Sequence, residues 1–129
     1  MLATISSGFL VATTIIVALF QIALALGAPW GAYAYGGART GKLPVGFRIN
    51  SVVAAVVMVA ISGHYLAQLG VLEPVLDPAG NSVVNWVLVG FTGLAALANN
   101  TTRSKLERAV WGVPTILMFM AALFVALYL

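Results

Sequence analysis

The stretch LGAPWGAYAYGGARTGKLPVGFR, residues 26–48, is the longest interruption in a chain that is otherwise almost continuously apolar. It holds six of the thirteen glycines, three of the six basic residues and two of the five prolines. Tryptophan and tyrosine favour the headgroup level of a bilayer, and lysine and arginine mark its cytoplasmic side. The composition of this stretch therefore predicts a folded connection at a membrane interface, with a transmembrane segment on either side.

The bulk composition requires lipid around the protein. The chain has 129 residues, of which 62% are hydrophobic and 7% charged, and its mean hydropathy is +1.07. A soluble domain of this size cannot bury so much apolar surface, because a small fold has a large surface for its volume. A membrane span needs about 20 apolar residues, which leaves room for four spans. We predict a single-domain all-α membrane protein, a four-helix transmembrane bundle of up-down-up-down topology.

The predicted spans are residues 5–26, 45–70, 82–98 and 105–129, with connections at 27–44, 71–81 and 99–104. Pro44 suits the start of the second helix, because its missing N–H is not needed there. Ser104 and Glu107 form the S-x-x-E pattern of a capping box, in which each side chain bonds the backbone N–H of the other. The fourth helix is therefore expected to begin at Lys105.

The basic residues define an orientation. All six lie in or beside the first and third connections, and the middle connection has none. The positive-inside rule then places residues 27–44 and 99–104 in the cytoplasm and both termini outside it, in the cytoplasmic (inner) membrane of a bacterium. A signal peptide cleaved near residues 23–25 is the competing interpretation. We expect no cleavage, because no Lys or Arg precedes the apolar run.

Several classes of activity lack the residues they need. Six bases in two short connections are a topology signal rather than a nucleic-acid surface, despite the pI near 9.7. There is no cysteine for a disulfide, a thiolate or a metal site. No acidic or basic residue lies within a span core, where a proton-coupled pump usually holds its carboxylate. We predict no catalytic residue, no cofactor and no metal.

Three groups of residues remain as candidates for binding. The candidate lipid-headgroup ligands are the bases, and tryptophan and tyrosine side chains near them are candidate interfacial anchors. Polar side chains within the spans either pack helices together, which we favour, or line a substrate path. In that order the groups are Arg39, Lys42, Arg48, Arg103, Lys105 and Arg108; Trp30, Tyr33, Tyr35 and Trp111; and Gln21, His64, Gln68 and Asn85.

Pro114 falls inside the fourth helix, where it deprives the Val110 carbonyl of its usual donor. We expect a kink there, with the carbonyl satisfied by water or by the Trp30 indole N–H. This predicts that Trp30 and Trp111 lie at the same depth, and that residues 26–48 fold over the start of the fourth helix.

The segments 26–31, 41–44 and 107–114 resemble those of an uncharacterised family of short four-span bacterial integral membrane proteins. The topology also resembles that of the MAPEG family, membrane glutathione-dependent and eicosanoid enzymes with four spans and a cytoplasmic first loop. The second helix of that family carries an Asn followed one turn later by a Glu. Here Asn50 is followed by Ala54, so the resemblance extends to topology and carries no catalytic residue.

The leading functional hypothesis is a non-enzymatic binding or accessory protein for anionic lipid or a larger membrane partner. It rests on the lack of a catalytic constellation and on the basic, aromatic character of the predicted cytoplasmic face. One alternative is an oligomeric small-molecule transporter or channel, built around the polar residues of the spans. Another is a MAPEG-like lipid or glutathione enzyme without the usual carboxylate. The expected partners are membrane lipids and a second copy of the chain or a larger membrane protein, with no nucleic acid.

Overall fold

The computed structural model describes all 129 residues and contains four α-helices and no β-strand. The helices are α1 (Leu2–Ala25), α2 (Val45–Gln68), α3 (Pro78–Thr101) and α4 (Lys105–Tyr128). Each has 24 residues and is therefore about 36 Å long, against a bilayer hydrocarbon core of about 30 Å. All four are long and apolar enough to cross a membrane. The predicted all-α fold, with four helices of the length and apolarity that a membrane span needs, is confirmed.

Two of the helices begin where the sequence predicts. Pro44 precedes α2, and Ser104 caps α4 by accepting a hydrogen bond from the Glu107 N–H at 3.1 Å. Helix α3 is longer than the predicted span 82–98. It begins at Pro78, because the Asp77 side chain accepts a hydrogen bond from the Gly80 N–H at 2.7 Å and proline suits a first helical position. Residues 78–81 and 99–101 are thus helical, although they were predicted to be loop.

The helices bury a modest common core and expose much of their apolar surface. Helix α1 packs against α2 and α4, and α3 packs against α4. Only 24 of the 129 residues are buried, while large aliphatic side chains such as Ile16, Leu19 and Val56 point outward. A helix that is apolar on its outer face as well needs an apolar surrounding, which lipid supplies. The main core consists of Leu10, Ala18, Met58, Ile61, Tyr65, Leu88, Met118, Ala121, Ala122 and Val125.

The connection between α1 and α2 is folded, as predicted. It contains two short 3₁₀ turns, Gly31–Tyr33 and Tyr35–Gly37. The Gly31 N–H donates to the Gly41 carbonyl at 2.9 Å, which closes the connection on itself. Leu24, Ala34 and Leu43 form a second small core beneath it.

This connection packs against the start of α4. The Ser104 hydroxyl donates to the Ala32 carbonyl, and the Gly36 N–H donates to Glu107 Oε2 at 3.4 Å. Phe20 lies between Trp30, with which it stacks at a centroid distance of 6.2 Å, and Trp111, whose ring meets it edge-on at 5.0 Å. The predicted contact between residues 26–48 and 104–114 is therefore present, and the two tryptophans flank one common ring.

Helix α4 is continuous through Pro114. The Trp30 indole, expected as an alternative to water, donates no hydrogen bond to the Val110 carbonyl, and its ring lies parallel to that of Phe20. Two carbonyls that follow Val110 in the chain, those of Trp111 and Gly112, accept hydrogen bonds from side chains. Thr115 Oγ1 donates to the Trp111 carbonyl at 2.6 Å, and Asn100 Nδ2, from α3, donates to the Gly112 carbonyl at 3.0 Å. Side chains of α3 and α4, rather than the first connection, therefore supply the extra donors around the proline.

Candidate functional site: the basic face and the cavity beneath it

The six basic side chains divide into two groups. Arg48 Nε donates to the Ala25 carbonyl at 2.9 Å, and Arg108 donates to the Thr102 carbonyl at 3.0 Å. These two arginines satisfy carbonyls that the ends of α1 and α3 leave without an intrahelical partner. The other four are exposed and make no hydrogen bond to the protein, so the candidate headgroup ligands on the first and third connections reduce to Arg39, Lys42, Arg103 and Lys105.

The four predicted aromatic anchors are not equivalent. Trp30 is 45% exposed on the outer surface, whereas Tyr33, Tyr35 and Trp111 line a cavity inside the bundle. Tyr35 is fixed there by its hydroxyl, which lies 2.9 Å from Ser51 Oγ and accepts a hydrogen bond from Asn50 Nδ2 at 3.0 Å. Its φ of 52° is in the left-handed region, where a residue other than glycine is strained, so packing and these bonds hold it in place.

The cavity lies beneath the first connection and has a volume of about 210 Å³. All four helices and the connection contribute to its wall, which is mostly apolar and aromatic. No Lys, Arg or His side chain is among the lining residues, which are Val17, Phe20, Gln21, Tyr33, Ala34, Tyr35, Met58, Phe91, Thr92, Ala95, Asn99, Glu107, Trp111, Thr115 and Met118.

Glu107 is the acidic residue of this cavity. Its side chain is only 8% exposed, and the one protein donor to its carboxylate is the Gly36 N–H on Oε2. The predicted return of the carboxylate to the Ser104 N–H is wrong, because that N–H donates to Thr102 Oγ1 at 3.2 Å instead. The carboxylate thus faces the cavity rather than completing a capping box.

Sequence reasoning assigned Glu107 to a capping role, because the S-x-x-E pattern already explains an acid at that position. What sets Glu107 apart in the sequence is its isolation in charge. The other two acids, Glu73 and Asp77, lie between α2 and α3, so Glu107 is the one carboxylate among the bases of the first and third connections.

Most polar atoms in the cavity wall are already satisfied by their own helix. The Thr92 hydroxyl donates to the Leu88 carbonyl, and Asn99 Nδ2 donates to the Ala95 carbonyl, both at 2.7 Å. Gln21 is different, because its Oε1 atom is buried without a hydrogen-bond partner. Gln21 Oε1 and the second carboxylate oxygen of Glu107 are thus two hydrogen-bond acceptors without a donor.

The other three polar candidates of the spans lie outside this cavity and bond to one another. Gln68 and Asn85 exchange two amide hydrogen bonds of 2.8 Å, and His64 Nε2 lies 2.8 Å from Asn85 Oδ1. The cluster joins α2 to α3, and the interhelical hydrogen bond expected of His64 is present. These side chains act in helix packing, while Gln21 stands apart from them in the cavity wall.

No protein-family model, curated protein or solved structure matches this chain. The candidate site is therefore described from the residues of this chain alone. No group of three or more His, Cys, Asp or Glu side chains is placed to hold a metal ion. At the position where the MAPEG resemblance would expect a catalytic pair, Asn50 donates to Tyr35 and Ala54 offers no functional group.

Proposed function

We propose that this chain is a non-enzymatic integral membrane protein whose basic end binds anionic lipid headgroups. In this proposal the helices run up-down-up-down in the cytoplasmic membrane, with the connections 26–44 and 102–104 in the cytoplasm and both termini outside it. Lys and Arg side chains near an anionic membrane surface contribute about 1 kcal/mol each. A face with several such side chains would hold anionic lipid in preference to zwitterionic lipid.

One observation carries the proposal. Arg39, Lys42, Arg103 and Lys105 are exposed and have no protein partner, and they lie on two connections that contact each other through Ala32–Ser104 and Gly36–Glu107. The capping arginines Arg48 and Arg108 have a structural role that explains them without lipid. The four free bases have no such role, and their charge is available to an anionic headgroup.

Native mass spectrometry tests this proposal. Wild-type protein is released from mixed phosphatidylglycerol and phosphatidylcholine and compared with a variant that carries Arg39→Gln, Lys42→Gln, Arg103→Gln and Lys105→Gln. We expect the wild type to retain phosphatidylglycerol selectively and the variant to lose that selectivity. Arg48 and Arg108 are left unchanged, so that the helix ends stay capped. Equal phosphatidylglycerol retention by both proteins would contradict the proposal.

A small-molecule transporter or channel is a second candidate, favoured by the cavity to whose wall all four helices contribute. Four helices leave little space for a continuous path, so this function would require assembly into an oligomer. Reconstituted vesicles that show no solute or ion flux in any oligomeric state would remove it. A MAPEG-like enzyme is a third candidate with less support, because Asn50 is engaged by Tyr35 and no carboxylate follows it.

A further inference from the structure

We propose that the cavity beneath residues 26–44 binds an organic ammonium group, with the Glu107 carboxylate as its counter-ion. The ligand class is a primary or quaternary ammonium that carries apolar substituents. Such a group occurs both in lipid headgroups and in free organic amines. This proposal is independent of the proposed lipid binding by Arg39, Lys42, Arg103 and Lys105, because it rests on different side chains, of which the charged one is acidic.

The first support is an uncompensated charge. Glu107 is 8% exposed, no basic side chain lines the cavity, and a single long hydrogen bond from Gly36 reaches one carboxylate oxygen. A buried carboxylate is unfavourable unless it is paired and fully hydrogen-bonded. The other oxygen, Oε1, accepts no hydrogen bond from the protein, so a cation in the cavity would supply the missing partner.

The second support is the aromatic wall. Phe20 and Trp111 meet edge-on at 5.0 Å, and Tyr33, Tyr35 and Phe91 complete the aromatic part of the lining. Aromatic faces attract organic cations, and cages of such rings recognise quaternary ammonium groups. The apolar remainder of the wall suits alkyl substituents on the nitrogen.

The third support is the polarity and size of the remaining space. Gln21 lines the cavity, and its Oε1 atom is a buried acceptor without a donor. The volume of about 210 Å³ exceeds the share of one water molecule in the liquid, about 30 Å³, severalfold. The cavity therefore has room for a small substituted ammonium beside the free carboxylate oxygen of Glu107.

An internal ion pair is the competing explanation for Glu107. A second opening beside the cavity is lined by Tyr35, Gly36, Arg103 and Glu107, so Arg103 is the base nearest to this route. Its side chain is exposed and bonded to nothing in the protein. If Arg103 were the counter-ion of Glu107, the wild type would bind an added cation weakly, and Arg103→Gln would strengthen that binding greatly. If the carboxylate is free for a ligand, Arg103→Gln leaves cation binding close to that of the wild type.

Isothermal titration in neutral detergent tests the proposal with benzyltrimethylammonium as the probe and neopentylbenzene as its neutral isostere. We expect wild-type protein to bind the cation more tightly than the isostere, and Glu107→Gln to weaken cation binding by about tenfold or more, as the loss of a buried charge partner implies. Glu73→Gln, which removes an exposed acid elsewhere, is the matched control and should bind as the wild type does. Arg103→Gln should bind about as tightly as the wild type, and a large gain would show instead that Arg103 pairs with Glu107.

Absence of cation binding by the wild type, equal binding of the isostere, or unchanged binding by Glu107→Gln would overturn the proposal. If Glu107→Gln fails to fold, Ala95→Leu decides instead, because it fills the cavity from α3 and leaves the carboxylate and the α4 cap untouched. Loss of cation binding in that variant supports the site, and unchanged binding refutes it.

Native mass spectrometry then distinguishes the two sources of the ammonium. Retention of phosphatidylethanolamine that depends on Glu107 assigns the site to a headgroup, whereas titratable binding without lipid retention assigns it to a free amine. The variant without the four free bases separates this site from the basic face. It should keep ammonium binding while losing phosphatidylglycerol selectivity, so either proposal can fail without the other.

Discussion

Gly31 is a residue whose missing side chain holds the first connection together. A Cβ atom at this position would lie 2.7 Å from the Gly41 carbonyl oxygen and even closer to that of Arg39, and both are backbone atoms that cannot move aside alone. We expect Gly31→Ala to destabilise the protein by about 1–3 kcal/mol, as overpacking of a closely packed site does. The midpoint of thermal unfolding in detergent, followed by circular dichroism, measures this effect.

Gly46 provides the matched control for that prediction. It lies in the first turn of α2, and a Cβ atom there meets nothing within 4 Å. Alanine is favoured over glycine in a helix by about 0.5–1 kcal/mol, so Gly46→Ala should be neutral or stabilising. Equal losses of stability in the two variants would show that Gly31 is not sterically required.

Tyr35 is a second residue on which the connection depends. Its hydroxyl is the hydrogen-bond partner of Ser51 Oγ, which is fully buried in α2. Tyr35→Phe would leave that serine hydroxyl unsatisfied, at a cost of about 1–3 kcal/mol. Tyr128→Phe is the control, because Tyr128 is 68% exposed and its hydroxyl bonds to nothing. Thermal unfolding midpoints that fall together in both variants would contradict a specific role for the Tyr35 hydroxyl.

At the level of single residues, the sequence predicted which basic and acidic residues cluster at one end of the molecule. It did not predict which atoms surround each of those side chains. It identified Arg48 and Arg108 as bases of one face, but their donation to the ends of α1 and α3 depends on how those helices approach. The S-x-x-E pattern assigns the Glu107 carboxylate to a capping box with Ser104. The Glu107 N–H does donate to the Ser104 hydroxyl, but the Ser104 N–H donates to Thr102 and not to the carboxylate. Its true environment depends on Gly36, a residue 71 positions away, and no local pattern encodes that contact.

Between elements, the polar cluster of α2 and α3 offers a test of helix association. Gln68 and Asn85 exchange two hydrogen bonds, so removing either side chain costs the other both of them and leaves it with His64 alone. We expect Gln68→Leu and Asn85→Leu to be coupled by about 0.5–2 kcal/mol, so that the double variant loses less stability than the two single variants summed. Unfolding in mixed micelles for the full cycle measures the coupling.

Asn100 supplies the control pair for this cycle. Its amide bonds the Gly112 carbonyl of α4, so Asn100→Leu acts on the contact between α3 and α4 instead. The losses of stability in Asn100→Leu and Gln68→Leu should therefore add. Additive losses in the Gln68 and Asn85 pair as well would mean that the two amides do not stabilise one another.

The helix starts show what hydropathy can and cannot predict. Pro44 and Ser104 are recognised by local signals, a proline suited to a helix start and an S-x-x-E pattern, and α2 and α4 begin directly after them. The signal at Asp77 and Pro78 is equally strong, but the next residues are small and polar and were predicted to be loop. Hydropathy locates the part of a helix that lies in hydrocarbon. The capping residues locate where the helix begins, and for α3 the two differ by one turn.

In the whole molecule, the cavity is the feature that the sequence could not predict. Four apolar helices were predictable from apolar content, whereas the space between them depends on how residues 26–44 fold over α4. Contact between the first connection and the start of α4 was nevertheless predictable from the position of Pro114 and the aromatic residues. The acidic, aromatic space beneath that contact became visible only with the side chains in place.

Orientation across the membrane is the remaining property of the whole molecule, and charge alone predicts it. Bases in or beside the first and third connections, and none between α2 and α3, predict that those two connections lie in the cytoplasm. The chain has no cysteine, so single Thr40→Cys and Ala79→Cys variants each carry one thiol, at an exposed position on opposite sides of the predicted topology. In intact cells an impermeant maleimide should label only Ala79→Cys, and Thr40→Cys should react after the membrane is permeabilised. Labelling of Ala79→Cys only after permeabilisation would invert the topology, and it would place the four free bases and the mouth beside Glu107 on the outer surface.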